Sequence, residues 1–364
     1  MEIETSIQLD TCQFTSEESL FIEHASLRAT LFRYRSGVCA VRLSNARGNL
    51  IALPYQGQQI WSMEMDGQEL TMRSMFTEPQ STQHFALTYG GFMLHCGLLS
   101  MESPGPEGRH PVHGELPNAP YRQAFVRAGT DGQGAYLELG GTFEHTIAFG
   151  NHYRAKPVIR LYEGATTVRI CMDIENLSSR TMEYTYLAHI NFRPVDYGRL
   201  IYSAPCNSDH VEIYRNDAEE TRNPELAAFM ERLAHNPKIL DVLEPSHKLN
   251  PGMMASYLYL ADDEGWAHSL HVQPDGYAGY VKHRPQQLDK VVRWIARTGD
   301  EDALGLALPA TATALGIAAE KRRGNVKSLA SRHRFAFEIE TGLLSPERAA
   351  EIEAKIASIL AQPR

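Results

Sequence analysis

The sequence predicts an all-β protein, a sandwich of antiparallel sheets with a few peripheral helices. Three observations carry that expectation. Apolar and polar residues alternate at period two from one end of the chain to the other. Turn-forming residues separate the alternating runs, and a helical period is confined to two places.

In chain order, "GVCAVRL", "NLIALPY" and "QIWSMEMDGQEL" are the first alternating runs, and Asp66-Gly67 inside the third is the dipeptide of a tight hairpin turn. "GAYLELGGTF" and "PVIRLYEG" follow. The clearest run is "TVRICMDIEN", where Val168, Ile170, Met172 and Ile174 face one way and Arg169, Cys171, Asp173 and Glu175 the other. "TMEYTYLAHINF", "ASYLYLA" and "HRFAFEIETG" complete the set. Of the two helices, "NPELAAFMERLAH" opens with Asn223 as cap and Pro224 in the first turn, and "SPERAAEIEAKIASILAQ" repeats the device with Ser345 and Pro346. Ile352, Ile356 and Ile359 share one face of the second, which is expected over about residues 345–362 as a C-terminal helix docked on a sheet. Neither helix splits the chain, and no linker or repeat does, so residues 1–364 read as one domain.

A chain of 364 residues can bury a sizeable core. Its 35 Lys and Arg against 44 Asp and Glu give a net charge of −9, and no basic run carries interleaved aromatics, which argues against nucleic acid and anionic membranes as partners. Residues 1–9 lack the basic start and apolar stretch of a secretory signal, and no window approaches the ~20 apolar residues of a membrane span. Five cysteines without a CxxC pair favour a reducing cytoplasm. There is no GxSxG elbow, no Walker loop and no GxGxxG between strand and helix.

The chemistry concentrates in three stretches. In "HPVHGELPNAPY", residues 110–121, Gly114 frees the backbone directly after His113 while Pro111, Pro117 and Pro120 stiffen it, so a histidine can be presented rigidly into a cleft. From spacing alone His110 and His113 more commonly read as solvated loop histidines, and the HxxH spacing, in a loop with no HExxH helix or nearby carboxylate pattern, is only a weak signal for a metal. In "YTYLAHINFRP", residues 184–194, alternation places His189 with Thr185, Leu187 and Asn191 on one face, and Tyr184, Tyr186, Ala188, Ile190 and Phe192 on the other. A strand histidine is commonly a hydrogen-bonded core residue; a His and Asn on one face would also furnish a sugar-binding groove. The third stretch supplies His268, His271, Asp275, Tyr277, Lys282, His283, Arg284 and Trp294, residue types suited to a hydroxyl-rich ligand with aromatic platforms.

Together these stretches resemble the aldose 1-epimerase (galactose mutarotase-like) superfamily, in particular its DUF4432 branch. The similarity runs from "RGNLIALPYQGQQIWSMEMDGQEL" through "HPVHGELPNAP" and "LAHINF" to "GLALPATATALG". The resemblance implies a twisted antiparallel β-supersandwich that binds a monosaccharide and interconverts its anomers without a cofactor or metal. It matches His189 to the general acid at the ring oxygen, a task suited to an imidazole, and His113 to a partner that holds and polarises the same region. Asn191, His110, Asp275, Arg284 and Glu115 are the candidate substrate-binding residues. His113 and His189 are expected to converge on one pocket. The family's base is a glutamate, in this branch commonly in a Glu-Pro pair, where this chain has Leu308 before Pro309. Either the register differs, or another carboxylate such as Asp275 or Glu115 serves, or a sugar-binding or sensing protein remains that has lost the activity. A lyase or sugar isomerase using Tyr277, Tyr280 and Arg284 is a weaker alternative. The sugar and the oligomeric state are not specified by the sequence.

Overall fold

Along Thr167–Asn176 the four apolar residues Val168, Ile170, Met172 and Ile174 are buried and the residues between them half-exposed, as a strand with one face on a core requires. The same alternation builds the whole molecule, whose computed structural model describes residues 3–102, 104, 110–247 and 249–362. Among these, two large antiparallel sheets carry the chain. The first is ordered Ile3–Gln8, Gln123–Asp131, Gly134–Thr146, His152–Tyr162, Thr167–Asn176, Arg334–Leu344, Ala278–His283, Ala267–Val272 and Arg199–Tyr202. The second runs Val211–Tyr214, Met253–Tyr257, Lys290–Arg297, Asp302–Ala310, Met182–Ile190, Met93–Leu98, Ile60–Met65, Gly48–Ala52, Cys39–Asn45, Leu27–Arg33 and Ser19–His24. Asp66 and Gly67 turn the hairpin between Ile60–Met65 and Gln68–Glu69 with φ of 50° and 74°, the left-handed pair that a two-residue turn needs.

Between the sheets lies the main core. Tyr184 and Tyr186 of the second sheet meet Phe335 and Phe337 of the first, at ring centroid distances of 4.9 and 4.4 Å. Arg293 is fully buried there, its guanidinium 4.2 Å from the ring centroid of Tyr202 and 4.4 Å from that of Tyr257. Since Tyr184 and Tyr186 point inward, Leu187 and His189 on the same strand point to the opposite face, away from the first sheet.

Both expected helices form. Pro224–His235 is capped by Asn223, whose side chain accepts from the Leu226 amide, and buries Leu226, Phe229, Met230 and Leu233. Pro346–Ala361 is capped by Ser345 and buries Ala349, Ile352, Ile356 and Ile359; Lys355 on it donates to Asp262, 2.9 Å away. The short helices Asp217–Arg222 and Ile317–Arg322 have no apolar period and were not expected from the sequence. No helix among the described residues is long and apolar enough to cross a membrane.

Candidate functional site

Strand parity sets the site. On the outward face of the second sheet, Leu187 and His189 lie beside Leu308 and Val292, which are direct cross-strand partners, and Trp294 follows Val292 after a bulge. Over this face a cavity of about 900 Å³ opens. Phe85, Tyr89 and Val112 close it at the histidine end, and Leu226 and Met230 of the helix Pro224–His235 form its opposite wall.

His113 reaches the cavity from its loop because two consecutive residues take left-handed backbone: φ is 58° at His113 and 79° at Gly114. The loop is then bonded to the end of Met93–Leu98, with the Gly97 amide donating to His113 O at 2.8 Å and the Leu116 amide to Gly97 O at 2.9 Å. A Cβ on Gly114 would stand 2.3 Å from Gly97 O and 2.4 Å from Ser100 O, both backbone atoms that cannot yield. Gly114→Ala is therefore expected to cost about 3 kcal/mol in urea denaturation; a loss under about 1 kcal/mol would show that the loop does not need this approach.

The rings of His113 and His189 stand 5.3 Å apart between centroids, perpendicular to each other. Both are buried, at 8% and 5% exposure. Burial pushes His189 from 6.5 down to about 3, His113 adding to the effect, and pushes His113 to about 4, His110 adding there. Both imidazoles are thus neutral at pH 7. Aromatic rings enclose them: Phe85 lies 4.7 Å from His113, and Tyr89 and Trp294 lie 5.7 and 5.5 Å from His189.

Asn191 decides which nitrogen of His189 carries the proton. Its Nδ2 donates to Gly91 O at 3.0 Å, so its Oδ1 is an acceptor, and that oxygen lies 2.7 Å from His189 Nδ1 and 3.3 Å from the Tyr89 hydroxyl. An amide oxygen cannot donate, so Nδ1 must. In a neutral ring this leaves the lone pair on Nε2, toward the cavity. His113 Nε2 is 3.7 Å from Glu102 Oε2, which places Glu102 as a carboxylate of the cavity wall.

The other residues nominated from sequence lie elsewhere. Asn191 supports His189 from behind instead of lining the cavity. His110 is turned back on its own loop, Nδ1 2.8 Å from Pro111 O. Glu115 accepts from the Leu98 and Leu99 amides and the Tyr153 hydroxyl, at 3.1, 3.1 and 2.5 Å, so its carboxylate ties a strand end. Asp275 sits exposed at a hairpin tip against Gln68 and the Tyr277 amide. Arg284 pairs with Glu338 and stacks 3.8 Å from the Trp266 ring centroid. Neither Asp275 nor Glu115 lines the cavity, whereas Leu308 does. Of the eight residues singled out in the third stretch, Trp294 alone lines it; strand parity had no means of separating the two sheets' faces. Phe85, Tyr89, Glu102, Tyr214, Arg215, Asn216, Glu219 and Glu220 were missed, and of these only the Tyr-Gly-Gly run at Tyr89 offered a signal, a ring beside two residues that permit close backbone approach. Among the described residues no three His, Cys, Asp or Glu side chains converge as a metal site.

Solved structures share this architecture. A "putative aldose 1-epimerase" from Klebsiella pneumoniae subsp. pneumoniae MGH 78578 superposes with a TM-score of 0.82 at 15% identity, over 100% of this chain and 97% of that one. A galactose mutarotase-like protein from Clostridium acetobutylicum gives 0.57 at 12% identity, over 88% and 99%. A "putative aldose 1-epimerase" from Escherichia coli K12 gives 0.55 at 14%, over 83% and 98%. At such identities the likeness shows the galactose mutarotase-like fold. No curated protein matches the sequence. The family described as "Domain of unknown function (DUF4432)" matches residues 35–343, most of the length and both sheets, and the chain belongs to it.

Proposed function

We propose that the protein is an aldose 1-epimerase, acting as one domain to interconvert the anomers of a monosaccharide by proton transfer at His189 and His113. The observation that carries the reading is the pair of buried neutral imidazoles at one end of a ligand-sized cavity, with the proton of His189 fixed on Nδ1. His189 Nε2 takes the proton of the anomeric hydroxyl; the C1–O5 bond breaks as C1=O1 forms, and the same nitrogen returns the proton to O5. O1 and O5 share C1, so one imidazole reaches both. His189 then acts first as base and next as the acid of the family resemblance, which removes the need for a carboxylate at Leu308. His113 holds the ring oxygen, and rotation about C1–C2 before reclosure exchanges the anomers. The neighbours' description as "putative aldose 1-epimerase" supports a sugar as the substrate class.

A second reading is favoured by Leu308 itself, an apolar side chain in the cavity wall: a sugar-binding protein without catalysis. Polarimetry of freshly dissolved α-aldoses, alongside calorimetry, separates the two. Exchange well above the buffer rate is expected; binding at the buffer rate would establish the second reading. Because His189 is held near 3, the accelerated rate is expected to stay level from pH 7.5 to pH 6, where a base titrating at 6.5 would lose about fourfold.

A further inference from the structure

We infer that the ligand is a sugar derivative bearing an alkyl or similarly apolar substituent, its anomeric carbon at the histidines and its substituent along the apolar face of the second sheet. The inference rests on the proposed function for the sugar end and on the cavity walls for the rest.

At about 900 Å³ the cavity lies near the upper end of the range for small-molecule sites and is several times larger than one pyranose ring requires. Beyond the histidines its walls are Leu187, Val292, Leu308 and Met254 from the sheet, with Leu226 and Met230 opposite. The polar side chains at that end have partners within the protein, Glu219 with Arg222 among them. Arg215 donates to Glu220 and Glu231, the Asn216 oxygen accepts from the Glu219 amide, and the Tyr214 hydroxyl donates to Ser256. Hydroxyls of a second sugar ring placed there would lose water and have to compete with these internal pairs for their partners, an unfavourable exchange. An alkyl chain loses nothing by leaving water and gains about fourfold in affinity per buried methylene. The unbranched Met230 and Met254 side chains suit such a chain, since they repack around ligands of varied shape.

The test is a calorimetric series on the full chain with D-glucose and its 6-O-methyl, 6-O-butyl and 6-O-hexyl ethers, which keep the anomeric hydroxyl and ring oxygen free. Affinity is expected to rise at least tenfold from methyl to hexyl, and Met230→Asn to flatten the rise. Since the gain is a ratio within one series, it does not depend on glucose being the preferred epimer. Affinities within threefold across the series, maltose binding more tightly than the hexyl ether, or hexan-1-ol binding as tightly as the hexyl ether would each overturn the inference. The wild-type series decides the matter even if Met230→Asn fails to fold. A rising series without anomer exchange would sink the proposed catalysis and leave this inference standing; exchange of glucose with a flat series would do the reverse.

Discussion

Acidification from pH 7.5 is expected to unfold the protein with a midpoint near about pH 5. His95, His113, His189, His271 and His283 are buried and held neutral, burial lowering them to about 3, 4, 3, 4 and 3. In the unfolded chain each titrates near 6.5. Between 6.5 and these depressed values the unfolded state binds protons that the native state refuses, so stability is full above about pH 6.5 and is lost as the pH falls toward 4. At pH 5 the loss is about 2 kcal/mol per histidine and about 10 kcal/mol in all, comparable with the whole stability of a typical protein. Tryptophan fluorescence and circular dichroism against pH measure it. His283 identifies the cause, because neither of its ring nitrogens has a hydrogen-bond partner: His283→Leu removes a proton acceptor without breaking a bond, and should move the midpoint down by a few tenths of a pH unit. Native signals persisting to pH 4 would refute the account.

His189→Gln should remove anomer exchange by a factor on the order of 10²–10⁴, the contribution of a positioned proton-transfer group. Glutamine fills most of the imidazole's space and can still donate to Asn191, but it has no nitrogen lone pair to take up a proton. Sugar affinity should change far less than the rate. His113→Gln should have a smaller effect, because an amide can still donate to the ring oxygen. Polarimetry at pH 7.5 measures both variants. Activity of His189→Gln within threefold of the parent would remove this residue from the mechanism.

Most of the fold was legible because the signal is local. In Thr167–Asn176 every second side chain must be apolar to reach the core, and ten consecutive residues display that requirement without reference to anything else. The pairing of His113 with His189 was legible only through the family resemblance, which matches both histidines to one site; taken alone, the loop histidine suited solvent and the strand histidine a core position. The remaining walls were not legible, since Phe85, Tyr89, Arg215 and Met230 come together only through the order of the second sheet and the helix laid over it. Asp275, Arg284 and Glu115 had suitable chemistry, but their partners, Gln68, Glu338 and Tyr153, are distant in sequence and bind them elsewhere.

The strand Met182–Ile190 serves the inter-sheet core with Tyr184 and Tyr186 and the cavity with Leu187 and His189. Its tolerance of mutation is therefore split. A substitution at an outward position can alter the chemistry while leaving the contacts with Phe335 and Phe337 in place. A one-residue insertion or deletion before Tyr184 that shifts the strand's pairing reverses both faces at once, burying an imidazole among aromatic rings and turning tyrosines into the cavity. Natural diversification of this site should accordingly proceed by exchange of single residues, with the length of this strand held constant.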